Sequence, residues 1–237
     1  MIKTSIYITL LVALLLLGSC ASIGHADREA TLRNELTKWV NFSADGVVAA
    51  SHRGMTLRKL FSLSKAGDEL RLDVLDGGAF GINPEPLVSA YLGPYLALRA
   101  PQLPQLEALP LTGITLPDLD FLSDPETFIR QHGEAILRER KLLLAETELQ
   151  FSDKLRLQRL IDRKAGVEMQ VSYTAQGDPD QVVLNLDSNT SVTLLVDNIS
   201  YGQARVEALP RPAQDPSING LLQQLEELLG GEGDLEF

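Results

Sequence analysis

ELRLDVL, residues 69–75, alternates apolar Leu70, Leu72 and Val74 with charged Arg71 and Asp73. A period of two puts every second side chain on one face of an extended chain, so the stretch is predicted to be a half-buried β-strand. Upstream, Lys65-Ala66-Gly67-Asp68 has turn composition, and Met55–Ser64 precedes it with Met55, Leu57, Phe61 and Leu63 at one parity. Asn41–Ser51 is predicted as a further strand, set off by His52-Arg53-Gly54. Downstream, Leu87–Leu92 and Tyr95–Arg99 straddle Gly93-Pro94. Val88, Ala90 and Leu92 share one parity, and the fifth segment offers either Tyr95 and Ala97 or Leu96 and Leu98. The connections are too short for helical crossovers, so the pairing must be antiparallel.

A second set of strand patterns follows at Lys154–Asp162, Gly166–Tyr173, Gln181–Leu186 and Ser191–Ser200, with a turn-rich Ala175–Asp180 between the middle pair. Helical spacing occurs in three places. Asp27–Val40 carries Leu32, Leu36, Trp39 and Val40 on one stripe. Asp124-Pro125-Glu126 has an N-cap residue followed by Pro at the first helical position, ahead of Phe128, Ile129, Ile136 and Leu137. Ser217–Leu229 carries Ile218, Leu221, Leu222, Leu225 and Leu228, with Gly230-Gly231 as a stop and an acidic tail beyond. Lys141–Phe151 fits either a continuation of the second helix or a new strand. Ala100–Asp124, punctuated by four prolines, is neither a regular helix nor a central strand and is expected to pack over the rest. The expected fold class is α+β: one curled antiparallel sheet of about nine or ten strands, an unclosed barrel, with helices covering its concave side.

The chain has 237 residues, one cysteine, one tryptophan, seven phenylalanines and a formal charge of −11. An acidic chain without clustered Lys and Arg excludes nucleic acid as a partner. Lys3 and the apolar run Ile6–Leu17 read as a secretory leader, too short and too near the start for a typical spanning helix. Two cleavage sites follow. Gly24-His25-Ala26 is an acceptable small-x-Ala site. Leu17-Gly18-Ser19-Cys20 resembles the bacterial lipobox, in which the cysteine receives diacylglycerol and then a further acyl chain such as palmitate. A single cysteine cannot form an intramolecular disulfide, and a thiol kept beside a leader suits an anchor; the other reading discards Cys20 with the leader. Ala21 after the cysteine implies outer-membrane sorting if the enteric rule applies. The expected organisation is a lipoprotein signal over 1–19, a tether over 20–26, one half-barrel domain over 27–209, and a C-terminal amphipathic helix with acidic tail over 210–237.

The meander order resembles the LolA/LolB-like family of bacterial outer-membrane lipoprotein carriers and receptors, over about residues 27–205. The resemblance rests on Trp39–Gly46, on Phe61–Val74 with the glycine-marked Gly77–Gly81, and on Gly177–Leu184 with Val192–Tyr201. It implies an unclosed barrel sheltering acyl chains. The carriers' Pro-Gly-aromatic-basic motif is missing where Gly54-Met55-Thr56-Leu57-Arg58 stands, so a lipidated Cys20 makes the chain more like the receptor.

No catalytic constellation is found. His52 and His132 have no ligand spacing, no Gly-x-Ser-x-Gly elbow occurs, and Gly77–Gly81 reads as a turn rather than a phosphate loop. The pairs Glu146/Glu148 and Asp73/Asp76 are read as solvated strand faces and turns. No enzyme activity, cofactor or metal is therefore expected. The expected ligand-binding residues are the inward set Leu57, Phe61, Leu63, Leu70, Leu72, Val74, Val88, Ala90 and Leu92, facing an acyl chain or lipoprotein. The competing expectation is a structural envelope lipoprotein with a filled core that docks an envelope partner through its C-terminal helix.

Overall fold

A computed structural model describes residues 24–77, 84–102 and 120–211. The leader, Cys20, most of the Gly77–Gly81 turn, the greater part of the Pro-rich crossing and the C-terminal amphipathic segment lie outside the described residues. Helix α1 occupies residues 24–37. Five strands follow: β1 (Asn41–His52), β2 (Met55–Ala66), β3 (Glu69–Asp76), β4 (Glu85–Leu92) and β5 (Leu96–Arg99). A 3-10 turn at Asp120–Leu122 and helix α2 (Pro125–Glu139) lead into β6 (Lys141–Leu144), β7 (Thr147–Phe151), β8 (Leu157–Asp162), β9 (Val167–Tyr173), β10 (Pro179–Asn185) and β11 (Thr190–Tyr201).

All eleven strands form one sheet in the order β5-β4-β3-β2-β1-β11-β10-β9-β8-β7-β6, and every pairing is antiparallel. The two meanders are joined by the long β1–β11 ladder, and among the described strands β5 and β6 are the two edges. The sheet is an unclosed, curled α+β layer, as its alternation predicts, with one strand more than the upper expectation. That strand comes from Lys141–Phe151. Arg140 adopts a left-handed conformation (φ 55°) and returns its N–H to the Ile136 carbonyl, which ends α2. Ala145 (φ 41°) then turns β6 into β7. Neither position is glycine, so neither turn carries its usual signal. Helix α1 lies three residues earlier than its stripe predicts. Trp39 and Val40 leave it through turn bonds to Leu36 and Thr37 before β1 begins.

Helix α2 starts as its sequence dictates. The Asp124 carboxylate accepts the Thr127 N–H at 3.0 Å, and Pro125 opens the first turn. Phe128, Ile129, Ile136 and Leu137 are buried, and they pack with Leu32 and Leu36 of α1 against Leu142, Leu149, Phe151, Leu157 and Leu160 of β6–β8. This is the filled half of the molecule. A second cluster centres on Phe42, Ala44, Val48 and Phe61, and its other members are Trp39 and strand residues of β2, β3 and β11. Trp39 joins the two, meeting Phe42 edge to face at 5.7 Å.

Candidate functional site

Directly opposed residues in an antiparallel ladder share a face, so register fixes what each face presents. Phe61 opposes Val74, Leu63 opposes Leu72, and Val74, Leu72 and Leu70 oppose Val88, Ala90 and Leu92. Ala90 and Leu92 then oppose Leu98 and Leu96, which decides the fifth strand's open parity. Leu57 opposes Ala50 on the same face. All nine residues singled out from the sequence therefore share one face. Phe61 is buried, Leu57 is 60% exposed near the β1–β2 turn, and the other seven are half-buried.

The face continues across β1 onto strands that sequence reasoning left out. Val48 opposes Leu194 and Ala50 opposes Val192, while Val182 and Leu184 of β10 oppose Leu194 and Val192. This is also the face that α1 and α2 cover over β6–β8. Among the described residues, no helix packs on Leu72, Val74, Val192 or Leu194; their cluster contains strand residues and Trp39 alone. The β1–β5 and β10–β11 part of the inner face is thus mainly aliphatic, interrupted by Lys59, which opposes Val48 at the parity of Leu57 and Phe61 and pairs with Asp76 at 2.8 Å. Its aliphatic part can take up apolar surface.

A further charged group borders it. Lys65 opposes Phe42 and Leu70 on the inner face and is 6% exposed. Its Nζ donates to the Leu122 carbonyl at 3.0 Å and to the Gly67 carbonyl, which also accepts from the Ser123 hydroxyl at 3.2 Å. Burial pushes the Lys65 ammonium below its ordinary pKa. The residue fastens the 3-10 turn before α2 to the β2–β3 corner. A lone Lys ending a strand gives no sequence sign of this role.

The acidic pairs are not all solvated. Glu148 is buried and bonded to Lys141 at 2.8 Å, Arg163 at 3.1 Å and Gln150 at 2.7 Å, and the Lys141 contact leads in holding its carboxyl below the usual range. Lys141 of β6 and Arg163, just past β8, supply half-exposed cations that cover the Glu148 carboxylate on an otherwise wet face. Asp73 pairs with Arg71 at 2.9 Å and Asp76 with Lys59 at 2.8 Å. Glu146 is exposed, so the Glu146/Glu148 pair shares no environment. His52 Nδ1 lies 2.9 Å from the Thr190 hydroxyl, and His132 stacks near Phe128. Among the described residues, no three His, Cys, Asp or Glu side chains converge as metal ligands.

A groove of about 620 Å³ opens where β7–β9 meet the end of α2. Its walls include Arg140, Asp153, Lys154, Arg156 and Tyr173. Arg140 is paired with Asp153, and Arg156 is paired with Glu35 at 3.3 Å while covering the Tyr173 ring. Both arginines are already satisfied within the fold, and the groove lies on the filled half, away from the aliphatic surface.

No protein-family model matches the chain, and no curated protein sequence does. Solved structures do resemble it. A domain described as an outer-membrane lipoprotein-sorting protein from Vibrio parahaemolyticus is 11% identical, covering 83% of this chain and 96% of its own, with a TM-score of 0.39. A LolA superfamily protein from Nitrosomonas europaea is 8% identical, covering 78% of this chain and 94% of its own, with a TM-score of 0.36.

Proposed function

We propose that this chain binds acyl chains, or another apolar ligand, on the inner face of its half-barrel, and serves lipoprotein or lipid trafficking in the bacterial envelope. One observation carries the reading: Leu63, Leu70, Leu72, Val74, Val88, Ala90 and Leu92 form a continuous half-buried aliphatic surface, and among the described residues Leu63, Leu72 and Val74 are clustered with strand residues and Trp39 rather than with a helix. Binding would be driven by removing apolar area from water, at about 25 cal/mol per Å², with no bond made or broken. In this reading, Leu57 and Phe61 extend the surface towards the β1–β2 turn and the middle of the sheet. A lipid-modified Cys20 would hold the domain at the outer membrane facing the periplasm, since two or three acyl chains give lasting attachment.

Native mass spectrometry of gently purified protein tests the reading, together with titration of a fluorescent fatty acid. Co-purifying lipid is expected, along with a loss of about ten-fold or more in probe affinity for Leu72→Glu, because a carboxylate at that position must be desolvated by the bound chain. A protein that carries no lipid and ignores the probe overturns it.

A further inference from the structure

The outer face of the sheet is polar along most of its rows, with one exception. Pro86 opposes Leu75, Leu75 opposes Leu60, Leu60 opposes Val47, and Val47 opposes Leu195. These five residues form an apolar stripe across β4, β3, β2, β1 and β11. Leu60 is 41% exposed and Leu195 is 37% exposed. The rows on either side are Asp73, Ser62, Asp45 and Asn198, and Arg58, Ala49 and Thr193.

The chain is delivered to this same face. After β11 it crosses the outer side of the first meander. Asn41 Oδ1 accepts the Ala204 N–H at 2.7 Å, and Arg71 donates to the Glu207 carbonyl at 3.1 Å. Leu209 is buried against Tyr91 and Ala97, its carbonyl accepts the Tyr95 hydroxyl at 2.6 Å, and Arg211 lies over the Tyr95 ring. The described chain ends there, at the β4–β5 corner, with Ser217–Leu229 still to come.

We propose that this amphipathic segment of the same chain docks as a helix on the Leu75–Leu60–Val47–Leu195 stripe, crossing the strands. The lengths agree. From β4 to β11 are four inter-strand spacings, roughly 19 Å, and thirteen helical residues span roughly 20 Å. Six residue steps from Arg211 to Ser217 reach about 20 Å when extended, against about 17 Å along β4 from Tyr91 to Pro86. Pro212 and Pro216 favour such an extended link. Ile218, Leu221, Leu222, Leu225 and Leu228 supply the apolar side. The charges agree too: the chain beyond Arg211 has acidic residues and no Lys or Arg, while Arg58 borders the stripe exposed and makes no ion pair among the described residues.

Hydrogen exchange of the full chain, read by mass spectrometry at two protein concentrations, tests the assignment. The expected result is protection of 217–229 by about ten-fold or more over a free peptide, independent of concentration and abolished in Leu60→Glu/Leu195→Glu. The reciprocal Leu222→Glu/Leu225→Glu should also abolish it without touching the sheet. Overturning results are an unprotected segment, protection that survives both stripe substitutions, or protection that grows with concentration, which would mean a second copy is the occupant. A segment that becomes protected only when envelope extract is added assigns it to another protein and equally overturns the proposal.

Discussion

Lys65 Nζ lies 3.0 Å from the carbonyl oxygen of Leu122, joining the end of β2 to the 3-10 turn that launches α2. The ammonium is buried, its bonded acceptors are backbone carbonyls, and burial lowers its pKa from the ordinary 10.5. The unfolded chain therefore holds this proton more tightly than the folded one. Between the depressed pKa and 10.5, stability contributed at Lys65 rises with pH. Denaturation of wild type and Lys65→Met at about pH 8 and about pH 10 should show the difference moving in favour of wild type at the higher pH. A difference that stays flat would mean that the amine titrates as if it were in water.

Tyr91 should behave in the opposite sense. Its hydroxyl donates to Glu69 Oε1 at 2.6 Å, and that bond to a carboxylate, with burial, pushes the phenol up to about 12 from 10.0. The protonated phenol stabilises the fold fully below its unfolded value, and this contribution is lost as pH climbs towards the folded value. Wild type should lose stability relative to Tyr91→Phe between about pH 9 and about pH 11.5. Unfolding midpoints measured for both proteins across that interval decide the matter.

Gly46 sits where β11 carries an extra residue, Asp197, opposite the Asp45–Gly46 step of β1. A Cβ at Gly46 would stand 2.0 Å from the Leu195 carbonyl oxygen and 2.9 Å from the Asp197 nitrogen. Both are backbone atoms, which no rotamer change can clear. Gly46→Ala should destabilise by about 1–3 kcal/mol through forced separation of the central ladder. Equilibrium denaturation and amide exchange at β1 and β11 would report it, and an unchanged midpoint would mean that the bulge yields freely.

The two halves of the inner face should answer differently to truncation. Leu149, fully buried beneath α2, should cost about 2–5 kcal/mol on change to Ala. Leu72, half-buried, should cost less than about 1.5 kcal/mol in ligand-free protein, because fewer contacts are lost. Comparable losses at the two positions would mean that the first meander is packed as tightly as the second.

Period-two alternation made the strands legible, and with them the inward set from Leu57 to Leu92, because side-chain parity survives even when strand ends are misjudged. Leu96 and Leu98 could not be chosen over Tyr95 and Ala97 until Ala90 acquired a partner across the ladder. The same limit hid the outer stripe: Val47, Leu60, Leu75, Pro86 and Leu195 are ordinary residues in their own segments and form a row only through register. Glu148 looked like a wet strand residue because Lys141 and Arg163 reach it from β6 and from just past β8. The path of residues 203–211 over Tyr91 and Tyr95 left no periodic trace, since an irregular segment is specified by what it lies on.

β5 and β6 are four residues long and, among the described residues, have no strand paired on their outer sides. A closed ring of strands has its circumference set by strand number and stagger. This sheet has two rims instead, so its radius of curvature is a soft coordinate, adjustable by small changes of twist shared over ten ladders without breaking one. On the proposed reading, guests of unequal bulk can then be met by one scaffold, while rims so short give foreign strands little to align with.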